Sequence, residues 1–312
     1  MSAPGRQCKL VEPQDLGRLV TEFLPEGGLL ALGGLFKQNR PMALVREVLK
    51  SGRRLLRLVS SPGSGFDVDV MIAAGAVAET YLAAVTLEDR MCPAFRGAAE
   101  RDEIKAHCVD ALSVVGGFLA AANGVPFQPV DAWKGSDVIR HNPLVTEMTC
   151  PFTGRPLHAT RAIHPDLAIL HAQEGDIYGN IRHLSTMTYA DQMIARAAKR
   201  VIVSVDRIVD TDDIVARSRE TSIACNYVDA VVHLPHGAHP TGSFPLYSID
   251  EDHIAAYATI AEAARKGGDA ERAALADWLD RHVFAPETLS DYLDMIGGGS
   301  RLAELEREAE AL

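Results

Sequence analysis

The run Pro165-Asp166-Leu167-Ala168-Ile169-Leu170-His171-Ala172-Gln173, continued by Asp176 and Gly179-Asn180, decides the fold class. Its first half is a short apolar stretch bounded by a proline and by polar residues, the composition of a buried strand. Its second half is rich in turn formers, which predicts His171, Gln173 and Asn180 at the strand's carboxyl end. In an open α/β sheet that edge is where ligands bind. The same cluster also suits a turn whose polar groups satisfy one another, so the residues alone leave both readings open.

Working outward, the pattern of strand, loop and helix repeats. Leu29 to Leu32 predicts a strand that runs into Gly33-Gly34, and Pro41 to Leu49 has the spacing of a helix opened by proline. Leu55 to Val59 predicts a second strand, stopped by Ser60-Ser61-Pro62-Gly63-Ser64-Gly65. A helix over 68–74 and a strand over 78–85 follow. Residues 96–123 read as helix with an interruption, and 124–160 as a loop-rich segment of low periodicity. Further strands are expected at 201–205 and 228–234, helices at 12–24 and 188–199, and a helical end broken at Gly267-Gly268 and Gly297-Gly298-Gly299. This alternation predicts an open, mostly parallel α/β sheet with helices on both faces and a helical C-terminal extension.

Composition narrows the partners. The chain has 312 residues and a formal net charge of -11, with no basic block, which disfavours nucleic acid and anionic membranes. No apolar run approaches the roughly 18–20 residues that span a bilayer, and residues 1–12 lack the apolar core of a secretory signal. The five cysteines, at 8, 92, 108, 150 and 225, form neither a CxxC pair nor a disulfide framework. The expected location is the cytoplasm, with thiols reduced.

Each chemical candidate has a plain alternative. Gly33-Gly34 lies where a phosphate-binding turn would, yet GGLFKQNRP lacks the GxGxxG spacing of a dinucleotide site and the GKS or GKT of a P-loop. The amides of Ser60 to Gly65 could hold an anion or a thioester oxygen at a helix start. As a nucleophile Ser64 lacks the GxSxG frame. His233, His236 and His239 invite a metal reading, but Pro235, Gly237 and Pro240 prevent a helix from aligning them. Asp210 to Asp213 reads as a helix start rather than a cation loop. Glu100, Glu103 or Asp110 could supply a general base or simply face solvent. No metal site is expected.

Taken together, residues 33–48 (GGLFKQNRPMALVREV), 59–75 (VSSPGSGFDVDVMIAAG), 93–96 (PAFR), 123–127 (NGVPF), 151–154 (PFTG), 165–180 and 228–257 resemble, in order and spacing, the A subunit of glutaconate-type CoA-transferases. The resemblance covers about residues 10 to 260. It implies a family I CoA-transferase α/β domain over 1–260, with 261–312 a helical segment packed on that domain or on a partner. It also implies a homologous B subunit whose glutamate carries CoA as a glutamyl thioester during exchange. This chain would then supply one wall of a cleft for an acyl-CoA and a small carboxylic acid, with no permanently bound cofactor and coenzyme A thioester as substrate.

By motif match, Gly33, Gly34, Arg40, Ser60, Ser61, Gly63, Ser64, Gly65, Gln173 and Asn180 are the substrate-binding candidates. The chain departs from the family at Leu35, where phenylalanine is usual, and at Asn39, where arginine is usual, with Arg40 next door. Relatives on this scaffold open steroid-derived rings on CoA or decarboxylate a CoA ester. The ring-opening branch calls for an acid in the segment matching 103–113, where Asp110 is the only acid of the latter part. Glu103 and Asp110 are therefore the catalytic candidates of a C–C hydrolase or decarboxylase. A non-catalytic acyl-CoA-binding subunit is the remaining alternative.

Overall fold

The computed structural model describes residues 7–60, 62–185 and 190–311. Twelve strands are described: β1 (Leu10–Val11), β2 (Leu29–Leu32), β3 (Leu56–Ser60), β4 (Val77–Leu82), β5 (Lys105–Ala106), β6 (Phe127–Val130), β7 (Val145–Thr149), β8 (Pro156–Arg161), β9 (Leu167–Gly175), β10 (Ile181–Arg182), β11 (Val201–Ile208) and β12 (Ala230–His233). The main sheet has the order β1-β12-β11-β9-β2-β3-β4-β5, with β10 paired to β9. Its eight ordered strands are parallel, and β10 alone runs antiparallel.

Both faces of this sheet are covered, which is why its strands are apolar almost throughout. The two-residue period divides them. Leu30, Leu32, Leu58, Leu167 and Ile169 pack against the helices Leu16–Phe23, Met42–Lys50 and Phe66–Ala73 on one face. Ala31, Val59, Ala168, Leu170 and Val203 pack on the other, against the helices Ala111–Ala122 and Asp191–Ala197. From β2 the chain moves outward through β3, β4 and β5; from β9 it moves the opposite way through β11 and β12. The order therefore reverses between the neighbours β2 and β9, and a crevice at their carboxyl ends is the natural ligand site of such a sheet.

Two expectations are corrected. Residues 124–160 are not structureless: β6, β8 and β7 form a three-stranded antiparallel sheet. Its strands are short, half exposed and carry Pro129 and Pro156, so alternation is weak there. Strand β9 runs on to Gly175, past the expected end at residue 171, so His171 and Gln173 lie within its carboxyl half. Polar residues are tolerated there because each meets a buried partner, as described below. The expected helix at 188–199 is observed as Asp191–Ala197, and residues 186–189 lie outside the described set.

The C-terminal helices Glu251–Lys266 and Asp269–Leu279 belong to the first core, through Tyr257, Ala261, Trp278 and Leu279. The first of them runs unbroken through residues 260 and 261. The helix Gly298–Glu310 buries Leu305 against Ala238 and Tyr247. Among the described residues no helix is long and apolar enough to cross a membrane.

Asp69 links these layers. Its carboxylate accepts the amides of Phe95 at 2.7 Å and Ala94 at 3.3 Å, capping helix Pro93–Glu100, and the Tyr257 hydroxyl at 2.9 Å. Burial outweighs these donors and pushes the carboxyl from 3.8 up to about 6. Because the folded value is raised, this group's favourable contribution is present below about pH 4 and is lost as pH rises through 6, a change of about 3 kcal/mol. The stability of wild type relative to Asp69→Asn is therefore expected to fall by about that amount between pH 4 and pH 7. Denaturant unfolding of both proteins at stepped pH reads the difference; a constant gap would refute it.

Candidate functional site

At the carboxyl ends of β2 and β3 two glycine-rich loops pack on one another. Gly34 turns with φ +81°, and a Cβ there would meet the carbonyl oxygens of Gln38 at 2.5 Å and Asn39 at 2.6 Å. Leu35 and Gln38 exchange backbone hydrogen bonds at 2.9 and 2.8 Å, closing a tight loop that then pairs with Gly242. Phe36 from this loop lies over Gly63, where a Cβ would sit 2.2 Å from the ring. So Gly34 is needed for its dihedral, and Gly63 for close approach of an aromatic ring.

Arg40 locks the two loops. Its side chain is fully buried; Nε donates to Phe36 O at 3.0 Å, and Nη1 to Gly33 O at 2.8 Å and Ser60 Oγ at 3.2 Å. Nη2 donates to Gly63 O, and Asp67 Oδ2 lies 3.4 Å from Nη1, also fully buried. Every edge of the guanidinium is thus turned inward. Ser60 Oγ in turn donates to Leu32 O at 2.8 Å.

Gly65 N donates to Asp67 Oδ1 at 3.1 Å, and Ser64 is pinned by its backbone to Ala84 and Thr86. The Ser64 hydroxyl is buried and, among the described residues, has no hydrogen-bond partner; the same holds for Asn39 Nδ2 and Gln38 Oε1. Bare buried polar atoms are rare, and these three sit on the loops that follow β2 and β3, with Asn39 and Ser64 fully enclosed. Ser61 lies outside the described residues.

Gln173 joins the crevice from β9. Its Nε2 donates to Asn39 Oδ1 at 2.7 Å and Ser243 Oγ at 3.0 Å, and its Oε1 accepts Leu184 N at 2.9 Å. Ser243 donates to Asp206 Oδ2 at 2.6 Å, which also faces His171 Nε2 at 3.0 Å; His171 Nδ1 meets Ser204 Oγ at 2.9 Å. Tyr247 closes this network, 3.4 Å from His171 Nε2. Burial, with the Asp206 charge beside it, raises the Tyr247 phenol well above its usual range. The network fixes the floor under the Gly34–Arg40 loop.

Other candidates fall elsewhere. Asn180 closes a turn, donating from Nδ2 to Asp176 Oδ2 at 2.8 Å and accepting Cys225 N at 3.3 Å. Asp110 caps helix Ala111–Ala122: its Oδ1 accepts Ser113 N at 3.1 Å and its Oδ2 accepts Asn142 Nδ2 at 3.2 Å. Glu103 is exposed and paired with Arg101 at 2.8 Å, which holds its carboxyl below the ordinary range. The three histidines have separate partners. His233 faces Asp206 O, His236 faces Glu306, and His239 lies between Tyr292 and Asp250. Asp210 caps helix Thr211–Ala216 through Asp212 N.

Reading the chain alone missed Asp67, Asp191 and His183. Asp67 stands just after the Ser60–Gly65 loop in a helix's first turn, a visible signal for a loop-fixing carboxylate. Asp191 accepts Gly34 N at 2.9 Å across 157 residues, and nothing local announces that contact.

A family model described as Coenzyme A transferase matches residues 14–234. An uncharacterized protein of Archaeoglobus fulgidus is 32% identical over 292 residues, and this chain spans 63% of its length. In Pseudomonas knackmussii, the A subunit of 3-oxoadipate CoA-transferase is 29% identical over 93% of this chain and all of that one. The cholesterol ring-cleaving hydrolase IpdA subunit of Rhodococcus jostii is 32% identical, over 77% of this chain and 83% of its own. The solved structure of glutaconate coenzyme A-transferase from Acidaminococcus fermentans matches with a TM-score of 0.87 and 25% identity, covering 96% of this chain and 95% of that one. The family match spans most of the chain, and the doubly wound sheet that carries the crevice is shared with that transferase, so the chain belongs to the coenzyme A transferase family.

Proposed function

We propose that this chain is the A-type half of a heteromeric CoA-transferase, which moves CoA between an acyl-CoA and a small carboxylic acid. The B-type half supplies the nucleophilic glutamate, and this chain supplies one wall of the cleft at the β2/β9 switch point. The observation that carries the reading is the set of bare polar atoms there, Ser64 Oγ and Asn39 Nδ2, beside the loops of Gly33-Gly34 and Ser60–Gly65. Both atoms are enclosed in this chain by itself, so a thioester oxygen reaches them only when the loops part to admit it; once reached, they are donors of the kind that stabilise an oxyanion. Gln173 holds Asn39 in place, whereas Arg40 braces the loops from within and Asn180 shapes a neighbouring turn. No cofactor is bound permanently. The five thiols are all unpaired, which suits the cytoplasm.

The test uses the complex of both polypeptides. Incubation with an acyl-CoA donor followed by borohydride is expected to inactivate the enzyme, with the reduced residue on the partner chain. Absence of any trapped species while turnover proceeds would overturn the reading.

The identity to a ring-cleaving hydrolase favours a second reading, in which Asp110 or Glu103 acts as a base on a CoA thioester. Asp110 has both oxygens occupied and Glu103 sits in a surface pair. Glu103→Gln and Asp110→Asn are accordingly expected to keep kcat/KM within about twofold. A tenfold or greater loss in either would move the assignment to the hydrolase.

A further inference from the structure

Three residues far apart in the chain meet behind the Gly33-Gly34 turn. Asp191 opens helix Asp191–Ala197 and takes the Gly34 N–H on Oδ1 at 2.9 Å. Its Oδ2 and His183 Nε2 each lack a hydrogen-bond partner among the described residues and face one another at 3.5 Å, just beyond bonding distance, with both side chains enclosed at 0% and 2% exposure. On the opposite edge of the imidazole, Nδ1 lies 2.6 Å from Ser222 Oγ. Turning the ring over would press a C–H group against that oxygen at the same distance, so the orientation is fixed.

The hydrogens can then be counted. Ser222 Oγ has one to give, to Nδ1 or to Ile181 O at 3.0 Å. Ile181 O already accepts the amides of Ser222 at 2.9 Å and Ile223 at 3.2 Å. In the neutral ring, if the hydroxyl pointed there, Nδ1 would carry the ring hydrogen, and the lone pair on Nε2 would face the Asp191 carboxylate. Pointing it at Nδ1 puts the ring hydrogen on Nε2, toward Asp191, and no two lone pairs meet.

We propose that Ser222, His183 and Asp191 form a hydrogen-bonded relay, with the His183 hydrogen on Nε2, that holds the Gly33-Gly34 turn in its working geometry. Asp191 is a positioning residue: it acts through the turn and does not touch the acyl-CoA. The role in turnover rests on the transferase reading above, whereas the position of the hydrogen does not.

Asp191→Asn separates the two. Asparagine can still accept the Gly34 amide, but its NH2 would collide with a hydrogen on Nε2. The ring is therefore expected to move its hydrogen to Nδ1, with Ser222 turning toward Ile181 O. ¹⁵N-histidine spectra of the complex, assigned with His183→Gln, should show a protonated Nε2 and bare Nδ1 in wild type and the reverse in Asp191→Asn. In the same variant kcat should fall on the order of tenfold, with KM nearly unchanged, because a neutral amide oxygen holds the Gly34 N–H less tightly than the carboxylate does. If Asp191→Asn does not assemble, Ser222→Ala serves, moving the Nδ1 resonance and leaving Nε2 in place.

A wild-type ring hydrogen on Nδ1, or spectra identical in wild type and Asp191→Asn, would overturn the relay. A tautomer switch with unchanged kcat would overturn the positioning role. Failure of wild type to transfer CoA would strike the transferase reading, with the spectra still deciding the relay.

Discussion

Replacing Arg40 by methionine is expected to destabilise the protein by about 3–5 kcal/mol, the range for breaking a fully buried ion pair from one side. The guanidinium is the only described cation beside Asp67, and both side chains are fully enclosed. Asp67 Oδ2 has no hydrogen bond of its own, so without Arg40 a carboxylate is left unpaired in the interior. The carbonyls of Gly33, Phe36 and Gly63 lose their donor at the same time. Adding Asp67→Asn to Arg40→Met is expected to restore part of the loss, because it removes the stranded charge. A coupling of about 1 kcal/mol or more in that double-mutant cycle, read by denaturant unfolding of the complex, checks the argument. Strict additivity would mean that the two side chains do not support one another.

Gly34→Ala should strike both stability and turnover. The residue needs φ +81°, and the added Cβ would meet two backbone oxygens, at 2.5 and 2.6 Å, that no side-chain rotation can move aside. The expected loss is about 2–3 kcal/mol, from left-handed strain together with overpacking. The loop that displaces to relieve the clash carries Asn39 and Arg40, so kcat/KM should fall on the order of a hundredfold. Gly52→Ala is the matched control. Its φ is +76°, with nothing within 4 Å of the new Cβ, so only the strain of about 1–2 kcal/mol should appear and activity should hold. Thermal melts and steady-state kinetics on the two variants separate strain from collision. Equal losses in both would remove the steric argument.

The strands on either side of the switch point were readable from residue order. Leu29–Leu32, Leu56–Ser60 and the first part of Val201–Ile208 are largely apolar stretches followed by glycine, serine or acidic residues, and such punctuation is local. The small antiparallel sheet was not readable. Its strands face solvent on one side, contain prolines and gain their order from helix Ala111–Ala122 packed against Ala159 and Thr160. The site was half legible. Glycine pairs after strands drew attention to both loops, but whether a glycine serves a ligand or an aromatic neighbour depends on Phe36, 27 positions from Gly63. Arg40 shows the same limit. An arginine beside a glycine turn reads equally as an anion ligand or a brace, and only the carbonyls closing around it decide.

What the order of residues determined alone is the alternation of strand and helix, the glycine-marked loops after β2 and β3, and the balance of charge. These rest on periodicity, chain breakers and composition, each a property of neighbouring residues. The tertiary structure decided which polar groups are spent and which are left bare. Arg40, Gln173, Asp191 and His171 find partners 4 to 157 residues away, whereas Ser64 and Asn39 keep unmatched atoms in the loops after β2 and β3. Hydrogen-bond saturation depends on contacts made in space, and no local pattern encodes it.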